Sequence, residues 1–250
     1  MSEPDKIQGI RPGRVVLVGG CFMDLVMRVE RLPQAGEPVL GTSFGAFLGG
    51  KGFNQAVAAR RAGAEVAFIG RLGRDAFGKR FFAALEREAI EHQDLRVDGR
   101  AQTGAGMILV DDQGESRVVA WTWGAAAAVT VEDIARAAKR IRDAHLLVLG
   151  LEVEPAVSVA AARLARNAGV RVLWNAAPPV AFPNELFSLA DLLVVNSVEA
   201  AHLTGLPVED RATARAAANA LCRRGVAAAI VTLGAQGLVA AERTRMHELP

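Results

Sequence analysis

The 250 residues carry 29 Lys and Arg against 27 Asp and Glu, a formal net charge of +2, and are 51% hydrophobic but only 5% aromatic. A near-neutral chain with no basic run interleaved with aromatics disfavours nucleic-acid binding, and no apolar run reaches the length of a membrane span. Two cysteines, Cys21 and Cys222, argue against a disulfide framework and for a reducing cytoplasm, and the four histidines (His92, His145, His202, His247) show no spacing that suits zinc.

Met1–Gly13 is polar and bears Pro and Gly, unlike a signal peptide. From there, short β-branched runs alternate with alanine-rich helical stretches, the pattern of βαβ units around a parallel sheet. In chain order the strands are expected at Val15–Val18, Val66–Ile69, Leu146–Leu149, Val170–Trp174, Leu192–Val195 and Ala228–Val231. Helices are expected at Asn54–Arg61, Phe77–Glu88, Val131–Arg142, Ala156–Asn167 and Thr213–Arg223. Thr130 ahead of Glu132 and Asp133 reads as a helix cap with acids favouring the dipole. Two stretches break the rhythm: Asp24–Phe47 and Thr103–Trp121 read as strands and turns. The second holds a hairpin signature, with Asp111-Asp112-Gln113-Gly114 between Met107–Val110 and Arg117–Ala120. A core built from Ala, Val, Leu and Ile suits parallel strands buried on both faces, and no linker divides the chain, so a single domain over 1–250 is expected.

The string Leu48-Gly49-Gly50-Lys51-Gly52-Phe53-Asn54-Gln55 places three glycines, a carboxamide and one of only four lysines at the start of a helix. A helix start offers unpaired N–H groups to a ligand. Gly45, four residues, then Gly50-Lys51 nearly satisfies a Walker A loop, but Gly52 stands where magnesium needs a Ser or Thr hydroxyl, and that reading is rejected. Asp24 follows the strand Val15–Val18 and the Gly19-Gly20 turn, so it falls near a strand's C-terminal end, where open α/β sheets bind ligands.

These residues carry a resemblance. Gly49-Gly50-Lys51-Gly52-Phe53-Asn54-Gln55-Ala56 is followed in order by four further motifs. They are Gly70-Arg71-Leu72-Gly73-Arg74-Asp75 with Phe77-Gly78, Asn175-Ala176-Ala177-Pro178, Asn196-Ser197-Val198-Glu199 with Leu203-Thr204-Gly205, and Thr232-Leu233-Gly234-Ala235-Gln236-Gly237. From about Val15 onward the chain resembles the ribokinase-like (PfkB) family of carbohydrate kinases. The resemblance implies a three-layer α/β fold, a mostly parallel sheet with helices on both faces, and a small β-sheet lid formed by 24–47 and 103–121. It implies ATP and Mg²⁺ as cofactors, a monovalent cation as a further option, and a homodimer through the lid. The implied reaction moves the γ-phosphoryl group of ATP to a primary hydroxyl, with D-ribose the first acceptor. Another furanose, a nucleoside or a keto-sugar acid is the alternative acceptor, and a non-catalytic sugar-binding remnant is the reading from another class.

Carried over residue by residue, the resemblance assigns Asp24, Gly49, Gly50, Lys51, Asn54 and Glu152 to the sugar, with Glu154 close enough to compete with Glu152. It assigns Asn196, Thr232, Gly234 and Gly237 to the nucleotide, and Glu199 to magnesium through water. Read alone, Asn196-x-x-Glu199 is equally a helix cap, and Thr232-x-Gly234-x-x-Gly237 equally a tight turn. Departures stand beside the matches. Gly124-Ala125-Ala126 lacks the family's asparagine, which puts strict ribose preference in doubt, and Phe53 replaces a small residue and is expected to reshape the sugar pocket. The family's Gly-Ala-Gly-Asp segment, with its aspartate base, is not found before Pro250; Gly104-Ala105-Gly106-Met107 has the glycines without the acid. The expectation is that residues 1–250 alone hold no catalytic base, turn over poorly and expose apolar surface on one sheet face.

Overall fold

The computed structural model describes residues 12–114, 116–178, 181–242 and 245–250. Most of the polar Met1–Gly13 stretch lies outside them. The chain runs through β1 (Arg14–Val18), β2 (Phe22–Val29), β3 (Gly41–Gly49), α1 (Lys51–Arg61), β4 (Glu65–Gly73), α2 (Ala76–Arg87), β5 (Leu95–Asp98), β6 (Gly104–Val110) and β7 (Ser116–Thr122). It continues through α3 (Val131–Arg136), α4 (Ala138–Arg142), β8 (Leu146–Leu149), α5 (Pro155–Asn167), β9 (Arg171–Asn175), α6 (Glu185–Leu189) and β10 (Leu192–Asn196). The last elements are α7 (Ser197–Thr204), α8 (Arg211–Arg223), β11 (Ala228–Thr232), β12 (Leu238–Glu242) and β13 (Met246–Leu249).

Nine strands form one sheet in the order β13-β12-β11-β10-β9-β8-β1-β4-β5, parallel except where β12 pairs with β11 and β13. Alternation along each strand feeds two cores. Val16, Val18, Leu147, Leu149, Trp174 and Val231 bury with residues of α3 to α8 on one face. Leu17, Phe68 and Val148 bury with Phe53 of α1 and Phe81 of α2 on the other. The second face is covered only near β1, β4 and β8: Leu192, Val194, Ile230 and Ala240, which belong to neither core, remain part-buried. Among the described residues no helix is long and apolar enough to cross a membrane.

Several boundaries differ from the sequence expectation. Val131–Arg142 is two helices, broken at Ala137 (φ −82°, ψ 5°), although no Pro or Gly marks the break. Thr130 and Asp133 form the reciprocal cap of α3, and Arg71 of β4 holds the same Asp133 at 2.8 Å and Asp98 at 3.1 Å. The short α6 and the β12–β13 hairpin were not expected, and α7 is the helix whose start the Asn196-x-x-Glu199 cap reading marked. Helix α1 starts at Lys51, three residues before the expected Asn54.

The four remaining strands form a separate sheet in the order β3-β2-β6-β7. Strand β2 pairs antiparallel with β3 and parallel with β6, and β6 pairs antiparallel with β7 through the expected turn, where Gly114 N–H donates to the Asp111 carbonyl at 3.0 Å. Asp24, the first residue of the expected lid segment, is therefore within a strand of the small sheet.

The small sheet is latched to the large one where β6 begins. Asp75 caps α2, accepting from Gly78 N–H at 2.8 Å, and its carboxylate also accepts from Thr103 N–H at 2.7 Å and Thr103 Oγ1 at 2.9 Å. Buried Thr103 in turn accepts from Gly73 N–H at 3.0 Å. Burial pushes the Asp75 pKa up, but the bonds from Gly78 and Thr103 outweigh it and hold the carboxyl below its ordinary value. A depressed carboxyl contributes stability above its unfolded pKa and loses it as pH falls through the lower folded value. Asp75→Ala strands buried donors, so urea denaturation at neutral pH is expected to show a loss of about 1–3 kcal/mol. That deficit shrinks toward the acid end as the parent's carboxyl protonates; a variant as stable as the parent at pH 7 contradicts the latch.

Candidate active site

A cavity of ≈ 400 Å³ opens between the C-terminal edge of the large sheet and the small sheet. Its polar lining is Asp24, Lys51, Asn54 and Glu152, and Phe22, Trp121 and Trp123 form its aromatic wall. A cavity of ≈ 350 Å³ lies at the opposite edge, where β1 and β4 begin. There Arg140 is already paired with Glu91 and Asp94, and Lys139 with Asp143. Open α/β sheets bind ligands at the carboxyl ends of their strands, which favours the first cavity.

Glu152 anchors the site. It follows β8 by three residues and is only 5% exposed. Its Oε1 accepts from Lys51 N–H at 2.6 Å, and its Oε2 from Gly52 N–H at 2.7 Å and Gly20 N–H at 3.2 Å. Two of these are the orphan amides at the start of α1, so the helix N-terminus is not open to a ligand as the sequence suggested; an internal carboxylate fills it. Burial raises the Glu152 pKa, opposed by the bonds from Gly52, Lys51 and Gly20. The close approach explains the local sequence. A Cβ on Gly52 would lie 2.9 Å from Gly20 N and O, and Gly50, the residue before α1, has φ 94°, which L side chains rarely adopt.

Asp24, Lys51 and Asn54 are in the opposite condition: none of their side chains hydrogen-bonds to a described residue, and Lys51 and Asn54 are exposed. Burial raises the Asp24 pKa. Gly49 sits behind Asp24, where any Cβ would collide with the carboxylate, so its part is to make room for Asp24. Glu154 is exposed and does not line this cavity, whereas Glu152 does. Phe53 points into the core, edge-on to Phe81 at 5.1 Å, so it does not reshape the cavity as expected. Ala126, where the family's amide was missed, is buried in a short 3₁₀ turn.

The second group lies farther along the same sheet edge. Asn196 and Thr232 are register partners at the ends of β10 and β11. Asn196 and Glu199 form a reciprocal cap on α7: Glu199 N–H donates to Asn196 Oδ1 at 2.8 Å, and Asn196 N–H to Glu199 Oε2 at 2.9 Å. Thr232 Oγ1 donates to the Val195 carbonyl at 3.3 Å. Gly234 and Gly237, both at positive φ, shape the turn from β11 into β12. None of these five lines the cavity. The aromatic wall was not singled out from the sequence: Trp121 is on β7, but Trp123 lies past its end with helical backbone angles (φ −63°, ψ −32°), so strand alternation does not pair them.

The sequence profile of the pfkB family carbohydrate kinases matches residues 13–250. A mouse (Mus musculus) ribokinase is 38% identical over 226 residues, 90% of this chain and 70% of the relative. A Staphylococcus aureus ribokinase is 32% identical over 237 residues, 94% and 78% of the two chains. The structure of Arabidopsis thaliana ribokinase complexed with ribose and ATP superposes with a TM-score of 0.83 at 26% identity, covering 96% of this chain and 78% of that one.

Exchanging Glu152 for Gln keeps the shape but turns an NH₂ group toward backbone donors. Leaving one or two buried N–H groups unpaired costs about 1–3 kcal/mol each, so Glu152→Gln is expected to lower the urea midpoint well beyond Glu154→Gln. Equal midpoints for the two variants would remove Glu152 from its anchoring role.

Proposed function

The chain belongs to the pfkB family of carbohydrate kinases and is a phosphotransferase acting on a sugar; from the cavity we propose that its acceptor is D-ribose, phosphorylated by ATP on its primary hydroxyl. One observation carries the reading. Asp24, Lys51 and Asn54 converge on a single cavity with their side chains unspent, while the other acid among its described lining residues, Glu152, is committed to the backbone. An unspent carboxylate accepts hydrogen bonds from two hydroxyls, and a carboxamide both donates and accepts, as vicinal hydroxyls require. The Arabidopsis relative, solved with ribose and ATP, supports both ligands.

In this reading the nucleotide lies along the ends of β10 and β11, with Asn196, Thr232, Gly234 and Gly237 toward it and the sugar's primary hydroxyl directed that way. The described residues offer no group of three or more acidic, His or Cys side chains. Glu199 spends Oε2 on its helix cap, so its other oxygen is the group that would reach, through water, a Mg²⁺ keeping waters and phosphate oxygens as most of its ligands. When bound, the ion neutralises charge on the phosphates. This chain's residues supply positioning: Asp24 and Asn54 orient the sugar, and Glu152 fixes the loop that presents Lys51. The resemblance gives the base as the aspartate of a Gly-Ala-Gly-Asp segment, which residues 1–250 do not contain, and loss of a general base is typically worth ~10²–10⁴-fold. The small sheet acts as a lid over the sugar, the whole forming one domain. Its outward Phe44 and Met107, 64% and 56% exposed, suit a homodimer contact, and the cytoplasm is the expected compartment.

A coupled ATP-consumption assay, run on residues 1–250 and on a chain extended by the downstream reading frame, tests this. The extended chain is expected to prefer ribose over fructose and adenosine, and Asp24→Asn and Asn54→Ala to lower kcat/KM by roughly 10–100-fold, the worth of a charged or buried hydrogen bond. Ribose no better than fructose or adenosine overturns the acceptor, and equal turnover by the two chains places the base within these residues. Ribose binding without turnover by either marks a sugar-binding remnant.

A further inference from the structure

Asp24 is in register with Gly106 of β6, and Gly106 with Trp121 of β7, so the three form one row on the cavity face of the small sheet. The sheet does not require the glycine. A Cβ at Gly106 would meet Asp24 Oδ1 at 3.6 Å and Trp121 Cβ at 4.0 Å, ordinary contacts, whereas one at Gly104 would meet Phe22 at 2.6 Å. Gly106 thus leaves a slot open between a carboxylate and an indole. Trp121 stands 49% exposed at the edge of that slot. It is braced edge-on by Trp123 at 4.5 Å between ring centroids, and Trp123 by Phe22 at 6.2 Å. An aromatic held by others yet left half in water is prepared for an apolar surface that is not part of the chain.

Building on the sugar-kinase reading, we infer that Trp121 is a stacking wall and a specificity-determining residue: the C–H face of a monosaccharide ring lies on its indole while the ring's hydroxyl edge turns to Asp24, with Gly106 as the floor that admits the ring. The polar groups select hydroxyls; the wall selects a ring with an unsubstituted apolar face.

Calorimetric titration of the full chain with D-ribose, D-fructose and 2-deoxyribose, beside tryptophan emission, tests this. The chain has three tryptophans, and Trp174 is wholly buried in the core, so a sugar-dependent emission change reports on Trp121 and Trp123. Trp121→Ala is expected to weaken ribose about 2–10-fold and Trp121→Phe to restore most of it, the span of an aromatic contact. Gly106→Val is expected to weaken ribose at least as much without lowering the thermal midpoint, since β-branched residues suit a strand. The inference is overturned if the parent binds ribose and Trp121→Ala binds it equally, or if saturating ribose leaves the emission unchanged. If Trp121→Ala does not fold, Trp121→Phe and Gly106→Val decide: unweakened binding by Gly106→Val overturns it. A parent that binds none of the three sugars refutes the proposed function and the wall together, a result distinct from the failure of the wall alone.

Discussion

The site depends on one buried carboxylate. Glu152 receives the amides of Gly20, Lys51 and Gly52, and so ties the end of β8 to the turn after β1 and to the first turn of α1. A carboxylate taken out of water is costly unless it is paired or fully hydrogen-bonded. Here three N–H donors and the positive end of a helix offset the cost. The same contact settles what the polar groups around the cavity do. Glu152 is consumed in holding the backbone, whereas the side chains of Asp24, Lys51 and Asn54 line the cavity without a hydrogen bond to a described residue.

Two further constraints shape the cavity beside this anchor. The large parallel sheet is buried on both faces around β1, β4 and β8, so the strand ends that carry Glu152 and the Gly19-Gly20 turn are held by core packing. The small sheet is joined to it through β2 and β3 beside the anchor and through the Asp75–Thr103 bonds at the start of β6. Asp24 stands on the small sheet and Asn54 on α1, so the geometry of the cavity is the geometry of that junction. The cavity is thus walled by strands of the small sheet and by the first turn of a helix packed on the large one, joined at a glycine-rich seam.

Much of this was legible in the sequence because it is local. Runs such as Val15–Val18 and Ala228–Val231 announced buried strands, Thr130 with Asp133 announced a cap, and Asp111-Asp112-Gln113-Gly114 announced the hairpin between β6 and β7. What was missed is either too short or too distant in sequence. Helix α7 begins on the residue after β10 with no loop between them, and its cap is the one that Asn196-x-x-Glu199 allowed as an equal reading. Glu152 and Gly52 are 100 residues apart, and no spacing rule links a loop glutamate to the amides of a distant helix. Phe53 was assigned to the cavity because its neighbours in the motif are there, whereas helix periodicity turns it to the core beside Phe81.

Amide hydrogen exchange at Gly20, Lys51 and Gly52 tests the anchor most directly, because exchange reports the opening of individual hydrogen bonds. If Glu152 holds the junction, these three amides exchange slowly and together, and all three accelerate in Glu152→Gln while amides of β10 and β11 are unchanged. Fast exchange of the three in the parent, or exchange indifferent to the substitution, would show that the backbone around the cavity is positioned by something other than this carboxylate.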